Sequence, residues 1–225
     1  MAMKRAILCV ALPFLLVMGI MAQNGRGVDL SCSVEPNSAR ETALLHQSPH
    51  GAKRLSRHQL EIGWTGGKAI FKDKPPYNEP LDGLRWAYCG YSSPLKLHLI
   101  GKGEGDLFTG ILLDDQTGVR LPGGTEVLFS PDRRYYLAYE QQDGLDGDNL
   151  TLYKRDGSVV WGGYNGVLSR DGRSVVVNSE DMRDMRWDSQ NRPQATVRLD
   201  GGRTLVVTLT QTSNGKREWL PHVQK

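Results

Sequence analysis

LFSPDRRYYLAYE at residues 128–140 places a Ser-Pro-Asp turn between an apolar run and a strand-like run. A second stretch, VLSRDGRSVVVNSE at residues 167–180, has Ser169 where the first has Ser130, an offset of 39 residues. A sequence period of about 40 residues is typical of one four-stranded sheet in a repeated β protein. The two stretches therefore predict a β-rich fold with repeated units.

The same offset aligns residues 111–140 with residues 150–179, and most identities fall on turn residues. Turn positions restrict the residue type because they require unusual backbone angles or side chains that cap the turn. The matched pairs include Gly118 with Gly157, Gly124 with Gly163, and Asp132 with Asp171. We expect Gly157 and Gly163 to lie in turns that require glycine, and Asp171 to cap its turn.

From Leu84 onward, short strand-like runs follow one another at a spacing of about ten residues. Turn residues bound each run, and no helical pattern interrupts the series. This pattern predicts an all-β, mainly antiparallel region over residues 84–225. A closed propeller needs about four blades or more, whereas this length holds about three four-stranded units. We therefore expect an open stack of blade-like β-meander units.

Residues 23–83 show less strand character, and we expect an irregular, partly helical segment that packs on the sheet. The run SARETALLHQ predicts a short helix, because Ser38 and Glu41 have the spacing of a capping box. The glycines and prolines between Trp64 and Pro80 predict loop or edge structure.

FSPDRRYYLAY, with LTLYKRDGSVVW behind it, resembles the repeat of TolB-type and related WD-like β-propellers. In that repeat a Ser-Pro-Asp-Gly turn leads into a strand, and a later strand ends at an Asp-Gly turn. The resemblance covers roughly residues 110–210, and it departs from the family at Arg133, where Gly is usual, and at Arg170, where Pro is usual. It implies blade-like sheets but no particular activity, because one fold hosts many functions.

The first 22 residues have the layout of a secretory signal peptide. A basic start, MAMKR, precedes an apolar run, and a polar break follows Ala22. We expect cleavage after Ala22, with an uncleaved anchor as the alternative, and a periplasmic or secreted protein without membrane attachment after signal removal. Cys32 and Cys89 then remain, which predicts one disulfide in an oxidising compartment, or else two buried thiols.

The charge balance of the mature chain argues against a nucleic-acid-binding protein. The full chain carries 28 Lys and Arg against 25 Asp and Glu, and the predicted signal removes two basic residues, Lys4 and Arg5. The mature chain is therefore nearly neutral, whereas nucleic-acid binding needs a clustered basic face.

No catalytic or cofactor motif stands out from the sequence. His46 and His50 are four residues apart, but Pro49 lies between them and no Glu accompanies them, which excludes the zinc-protease helix. A Gly-x-Ser-x-Gly elbow is absent, and the predicted disulfide leaves no free thiol as a nucleophile. We therefore expect a protein that is not an enzyme and that binds no cofactor or metal.

The run EQQDGLDGDN at residues 140–149 is the most pronounced polar cluster of the chain. Its four acids are Glu140, Asp143, Asp146 and Asp148. A solvated hairpin tip, a loop that attracts a basic partner surface and a Ca²⁺ site are three interpretations of this cluster. Trp161 and Tyr164 are the second candidate contacts for a protein partner, with core packing as the alternative.

These features favour an exported, non-enzymatic protein that binds another protein. An inhibitor or immunity protein that neutralises a secreted toxin or hydrolase fits the compartment and the size of the chain. Two alternatives remain: a structural accessory of an envelope machine, and an envelope hydrolase or carbohydrate-binding protein whose carboxylates converge from distant loops. The acids in that last case are Asp106, Asp114, Asp143 and Asp188.

Overall fold

The fold is known from a computed structural model, which describes residues 29–77, 83–143, 147–164, 167–170, 173–176, 182–199 and 202–221. Within these ranges the chain forms antiparallel β-strands and one short helix, α1 (Ala39–His46). The predicted all-β, mainly antiparallel fold is therefore confirmed. The described part of the chain contains no helix that is long and apolar enough to cross a membrane.

The described strands form sheets of nine, four, three and two strands. In chain order they are β1 (Leu30–Ser31), β2 (Ala52–Ser56), β3 (Gln59–Trp64), β4 (Gly67–Lys72), β5 (Leu84–Ser92), β6 (Leu97–Glu104), β7 (Leu107–Asp114), β8 (Arg120–Gly123), β9 (Glu126–Phe129), β10 (Tyr135–Asp143), β11 (Gly147–Lys154), β12 (Val159–Tyr164), β13 (Val167–Arg170), β14 (Arg173–Val176), β15 (Met182–Trp187), β16 (Pro193–Arg198), β17 (Thr204–Gln211) and β18 (Arg217–Pro221).

The nine-stranded sheet runs in the order β1-β9-β10-β7-β6-β5, with β8 beside β7, and β11 and β12 continuing from β10. Its two ends meet, because β1 lies next to β5, and the sheet is nearly closed like a barrel. Buried side chains of these strands and their turns form the first core. They are Leu30, Ala87, Cys89, Leu95, Leu97, Leu99, Leu112, Val127, Phe129, Tyr136, Ala138 and Tyr153.

A disulfide joins the two ends of this sheet. Cys32 follows β1 directly and Cys89 lies in β5, with their Cα atoms 4.9 Å apart. The predicted Cys32–Cys89 bond is therefore confirmed. Gly101 in β6 faces both sulfur atoms, and a Cβ atom at this position would overlap the Cys32 sulfur. The bridge thus depends on a glycine in the neighbouring strand.

A second core lies between β5 to β7 and a layer formed by α1 and the three-stranded sheet β2-β3-β4. It comprises Leu45, Leu60, Ile62, Ala69, Phe71, Leu84, Trp86, Tyr88, Ile100 and Leu113. The irregular structure expected across residues 23–83 is wrong for residues 52–72, which form strands. The buried apolar side chains of β3 (Leu60, Ile62) and of β4 (Ala69, Phe71) lie two residues apart, but each run is short. The glycines at Gly66 and Gly67, where the Thr65-Gly66 turn leads into β4, gave the sequence the character of a loop.

A third core packs the four-stranded meander β15-β16-β17-β18 against β10 and β11. Its buried members are Leu137, Leu150, Leu152, Met182, Ala195, Val197, Val207, Leu209 and Trp219. Each strand of the meander pairs with the next one along the chain. This sheet is therefore the unit that comes nearest to the expected blade-like meander.

The 39-residue repeat recurs in the strand pairing. Leu128 of β9 pairs with Leu137 of β10, and Val167 of β13 pairs with Val176 of β14, so the two hairpins share one register. Their surroundings differ, because β9 and β10 belong to the nine-stranded sheet, whereas β13 and β14 form the two-stranded sheet. The propeller resemblance itself stays a prediction.

The turn predictions have mixed outcomes. Gly157 has φ +86°, in the left-handed region, as expected for a turn that requires glycine. The prediction for Gly163 is wrong: this residue lies within β12, and the Trp161 indole occupies the space where its side chain would be. Asp171 lies outside the described residues.

Candidate functional site

An open groove lies beside the junction of β1 and β5. Its volume is about 480 Å³, within the range of roughly 300–1,000 Å³ found for ligand pockets. The residues that line it come from the segment after β1, the β2–β3 turn, the segment after β4, the start of β5 and the β6–β7 hairpin. We call it the seam groove, and its principal side chains are Arg57, His58, Tyr77, Arg85, Lys102 and Phe108.

Backbone rather than side chains forms part of the groove lining. In the β5–β6 ladder Gly101 pairs with Ala87, and Gly103 pairs with Arg85. Residues two apart on a strand share a face. On this face of β6 the disulfide sulfur atoms fill the space at Gly101, whereas only the Phe108 ring lies near Gly103. A ligand can therefore approach the strand backbone closely at Gly103.

Two aromatic side chains border the seam groove and remain accessible. Tyr77 is 42% exposed and Phe108 is 43% exposed, although large apolar side chains are usually buried. Tyr77 stacks on the His58 imidazole, with ring centroids 3.9 Å apart. The groove therefore offers flat apolar surface beside its polar groups.

Asp73 holds His58 in place. Its Oδ2 atom lies 3.4 Å from His58 Nδ1, and its Oδ1 atom accepts a hydrogen bond from the Trp86 backbone N–H at 3.0 Å. The Asp73 side chain is buried, so its charge faces the protein rather than the groove. The imidazole is thus fixed from one side by a carboxylate and from its face by Tyr77.

Positive side chains outnumber accessible carboxylates in the lining. Arg57, Arg85 and Lys102 contribute to it, while Glu35 is its exposed carboxylate. Lys102 also pairs with Glu104 at the groove margin, and this contact holds the pKa of Glu104 below its ordinary value. The balance favours an anionic ligand.

A second polar cluster lies under the three-stranded sheet. The Asp115 carboxylate meets His98 Nε2 at 3.0 Å and His50 Nε2 at 3.3 Å, through different oxygens. The other ring nitrogen of His98 lies 3.0 Å from the Tyr88 hydroxyl. Burial lowers the pKa of His98 and raises that of Tyr88, with Asp115 opposing the first shift and adding to the second.

This cluster is suited to bracing the fold rather than to catalysis. Tyr88 and His98 are fully buried, so a substrate has no access to them. Both imidazoles present Nε2 to one carboxylate, whereas a catalytic relay needs one imidazole between an acid and an accessible reacting group. Among the described residues, no three His, Cys, Asp or Glu side chains are placed to hold a metal ion.

The structure places Glu140 differently from the solvated tip that the sequence suggested. Glu140 is 8% exposed, and Tyr153 donates a hydrogen bond to its carboxylate at 3.1 Å. The backbones of Asp143 and Asp148 lie in β10 and β11, and their side chains are outside the described part, as is all of Asp146. Partner binding by these acids stays a prediction.

Trp161 contributes to packing between sheets. Its indole Nε1 donates to the Arg217 carbonyl at 3.0 Å, and its ring meets Trp219 edge-on with centroids 6.2 Å apart. Tyr164 ends β12, and its side chain is outside the described part. The Trp161 ring is half-buried, so a partner would reach only part of it.

Two of the four acids proposed for a hydrolase are engaged in local contacts. Asp114 accepts hydrogen bonds from the Thr117 backbone and hydroxyl within one turn, and Asp188 pairs with Arg192 at 2.7 Å. Asp106 is exposed in the β6–β7 turn, and the Asp143 side chain is outside the described part. Local turn contacts account for Asp114 and Asp188 without a catalytic role.

The sequence alone does not identify the groove residues, because no local sequence motif contains them. His58, Asp73 and Arg85 are separated by more than ten residues each and meet only through strand pairing. The one local signal is the glycine-rich run GKGEGD at residues 101–106, which ends β6 and forms the turn into β7.

Comparisons with known proteins supply no relative for this chain. No family model matches it, and no curated protein or solved structure matches it either. The functional conclusion therefore rests on the seam groove and on the sequence.

Proposed function

We propose that this chain is an exported, non-enzymatic protein that binds another protein, in the manner of an inhibitor or immunity protein that neutralises a secreted toxin or hydrolase. The observation that carries the proposal is the seam groove, where the exposed Tyr77 and Phe108 lie beside Arg57 and Arg85. Tyrosine and arginine are enriched among the residues that dominate binding energy in protein interfaces, and aromatic side chains are enriched in interface cores.

Two further observations support this function. The Cys32–Cys89 disulfide fits an oxidising compartment, in agreement with the signal peptide predicted over residues 1–22. The polar clusters around Asp73 and Asp115 use their carboxylates to hold histidines and backbone groups. These carboxylates therefore have structural roles that need no reaction.

Binding kinetics against exported hydrolases or toxins encoded beside this gene test the proposal. We expect Tyr77→Ala and Phe108→Ala each to weaken binding about ten-fold or more, equivalent to about 1.4 kcal/mol. Val159→Ala is the control, because Val159 is 65% exposed and does not line the groove. Equal affinity of the groove variants and the control would remove the groove from the interface.

A further inference from the structure

We infer that the seam groove selects a carboxylate-bearing segment of the partner protein, lying along the groove with an apolar side chain between Tyr77 and Phe108. This inference rests on the proposed function and adds the chemistry of the segment that is recognised. Charge, shape and the covered edge of β5 support it.

Charge complementarity identifies the anionic group. Arg57, Arg85 and Lys102 bring three positive side chains to the groove, and because Lys102 pairs with Glu104 at the margin, Arg57 and Arg85 are the principal cations. Of the two carboxylates in its lining, Asp73 is buried against His58 and a backbone N–H, which leaves Glu35 as the exposed one. Arginine holds a carboxylate in a fixed, two-pronged geometry, so a partner Asp or Glu fits this lining better than a neutral or basic side chain.

The shape of the groove favours a peptide over a small anion. The backbone at Gly103 allows another chain to approach, and the accessible rings of Tyr77 and Phe108 provide apolar surface next to the cations. A small inorganic anion would leave this apolar surface uncovered. A peptide that carries an acid beside an aromatic residue covers both kinds of surface.

The segment does not join the sheet as an extra strand at the β5 edge. The Trp86 N–H already donates to Asp73, and the Tyr88 N–H donates to the Glu41 carboxylate at 2.8 Å. Arg54 donates to the Trp86 carbonyl from the same side. Because charged side chains occupy this edge, recognition must come from side-chain contacts in the groove, which is where sequence selectivity arises.

The test uses a matched pair of capped peptides, Gly-Glu-Phe-Glu-Gly and Gly-Gln-Phe-Gln-Gly, titrated into the isotope-labelled mature protein. Amide NMR signals report where each peptide binds and how tightly. We expect the Glu peptide to shift the signals of Gly101, Lys102, Gly103 and Phe108. The Gln peptide should bind about ten-fold more weakly, because only the charge differs between the two, and raising the salt concentration should reduce the difference.

Two triple variants, each of which removes three positive charges, distinguish recognition in the groove from a general effect of net charge. The triple variant Arg57→Gln, Arg85→Gln, Lys102→Gln should lose the preference for the Glu peptide. The control variant Lys53→Gln, Lys68→Gln, Arg203→Gln removes the same number of positive charges at positions that do not line the groove, and it should keep the preference.

Equal affinity of the two peptides for the wild-type protein, or shifts that map away from the groove, would overturn the inference. The absence of any shift with the Glu peptide would overturn it as well. None of these results bears on whether the protein binds an exported partner, because the partner kinetics measure that separately. The peptide comparison on the wild-type protein also stays decisive if the triple variant fails to fold.

Discussion

Glu41 is fully buried, and its carboxylate accepts four hydrogen bonds, from Arg54, Asn37 and Tyr88. Two come from the Arg54 guanidinium at 3.0 and 2.7 Å, and two come from backbone N–H groups. Ser38 caps α1 as predicted, since its hydroxyl accepts the Glu41 N–H at 3.1 Å. The Glu41 carboxylate, however, connects the helix to β2 and β5 instead of closing the expected capping box.

Replacement of Glu41 tests this role. Glu41→Ala should destabilise the fold by about 3–5 kcal/mol, because it leaves the Arg54 charge and the buried Tyr88 N–H without their carboxylate partner. Glu61→Ala, which removes a carboxylate paired with lysines at the surface, should change stability far less. Urea unfolding of the two variants measures the difference, and equal midpoints would show that the buried pair contributes little.

The buried His98 makes the stability of the fold depend on pH. Burial lowers its pKa below the ordinary value of 6.5, so at mildly acidic pH the unfolded chain binds a proton that the folded protein does not. Its contribution to stability is therefore complete above pH 6.5 and is lost as the pH falls below that value. The groups that face His98 are Tyr88, Asp115, Tyr91 and, across Asp115, His50.

Urea midpoints at about pH 7.5 and pH 5.5 measure this effect. We expect the midpoint to fall on acidification in the wild-type protein and to fall less in His98→Gln, which cannot titrate. His46→Gln is the control, because His46 is exposed in the last turn of α1. If His98→Gln loses as much stability on acidification as the wild type, His98 is not the responsible group.

At the scale of elements, strand pairing decides what can be predicted. The strands from Leu84 onward were recognisable because turn residues bound each apolar run. The sheet β2-β3-β4 was not, because its strands are five or six residues long, and β3 and β4 each carry only two buried apolar side chains. The Cys32–Cys89 bond was predictable by elimination, since two cysteines remain after the predicted signal.

The Cys32–Cys89 disulfide depends on Gly101 in the neighbouring strand β6, and substitution of this glycine tests that dependence. Gly101→Ala should destabilise the protein by about 1–3 kcal/mol through overpacking, or leave Cys32 and Cys89 as free thiols, because the added methyl group overlaps the Cys32 sulfur. Gly162→Ala is the matched control, since nothing lies within 4 Å of a Cβ atom there. Thiol titration detects free cysteines, and thermal melting detects lost stability. If Gly101→Ala and Gly162→Ala behave alike in both measurements, the disulfide does not depend on a glycine at position 101.

At the scale of the whole molecule, three cores are arranged around one sheet. The first core fills the interior of the nine-stranded sheet. The second lies beneath α1 and the sheet β2-β3-β4, and the third lies beneath the meander β15-β16-β17-β18. The seam groove forms where the ends of the nine-stranded sheet meet and where glycines replace side chains. Sequence patterns predict the class of fold because they are local. They do not predict the groove, because Arg57, Asp73, Arg85 and Phe108 come together only after the sheet has formed.

The central claim is that this protein binds an exported partner through the seam groove. Site-specific photo-crosslinking in the producing cell tests it most directly, with a photoreactive phenylalanine analogue placed at Phe108 or, as the control, at Val159. Both positions are exposed, and only Phe108 lines the groove. We predict that the probe at Phe108 forms a defined adduct with one exported protein and that the probe at Val159 does not. No adduct at Phe108, or the same adduct from both positions, would contradict the claim.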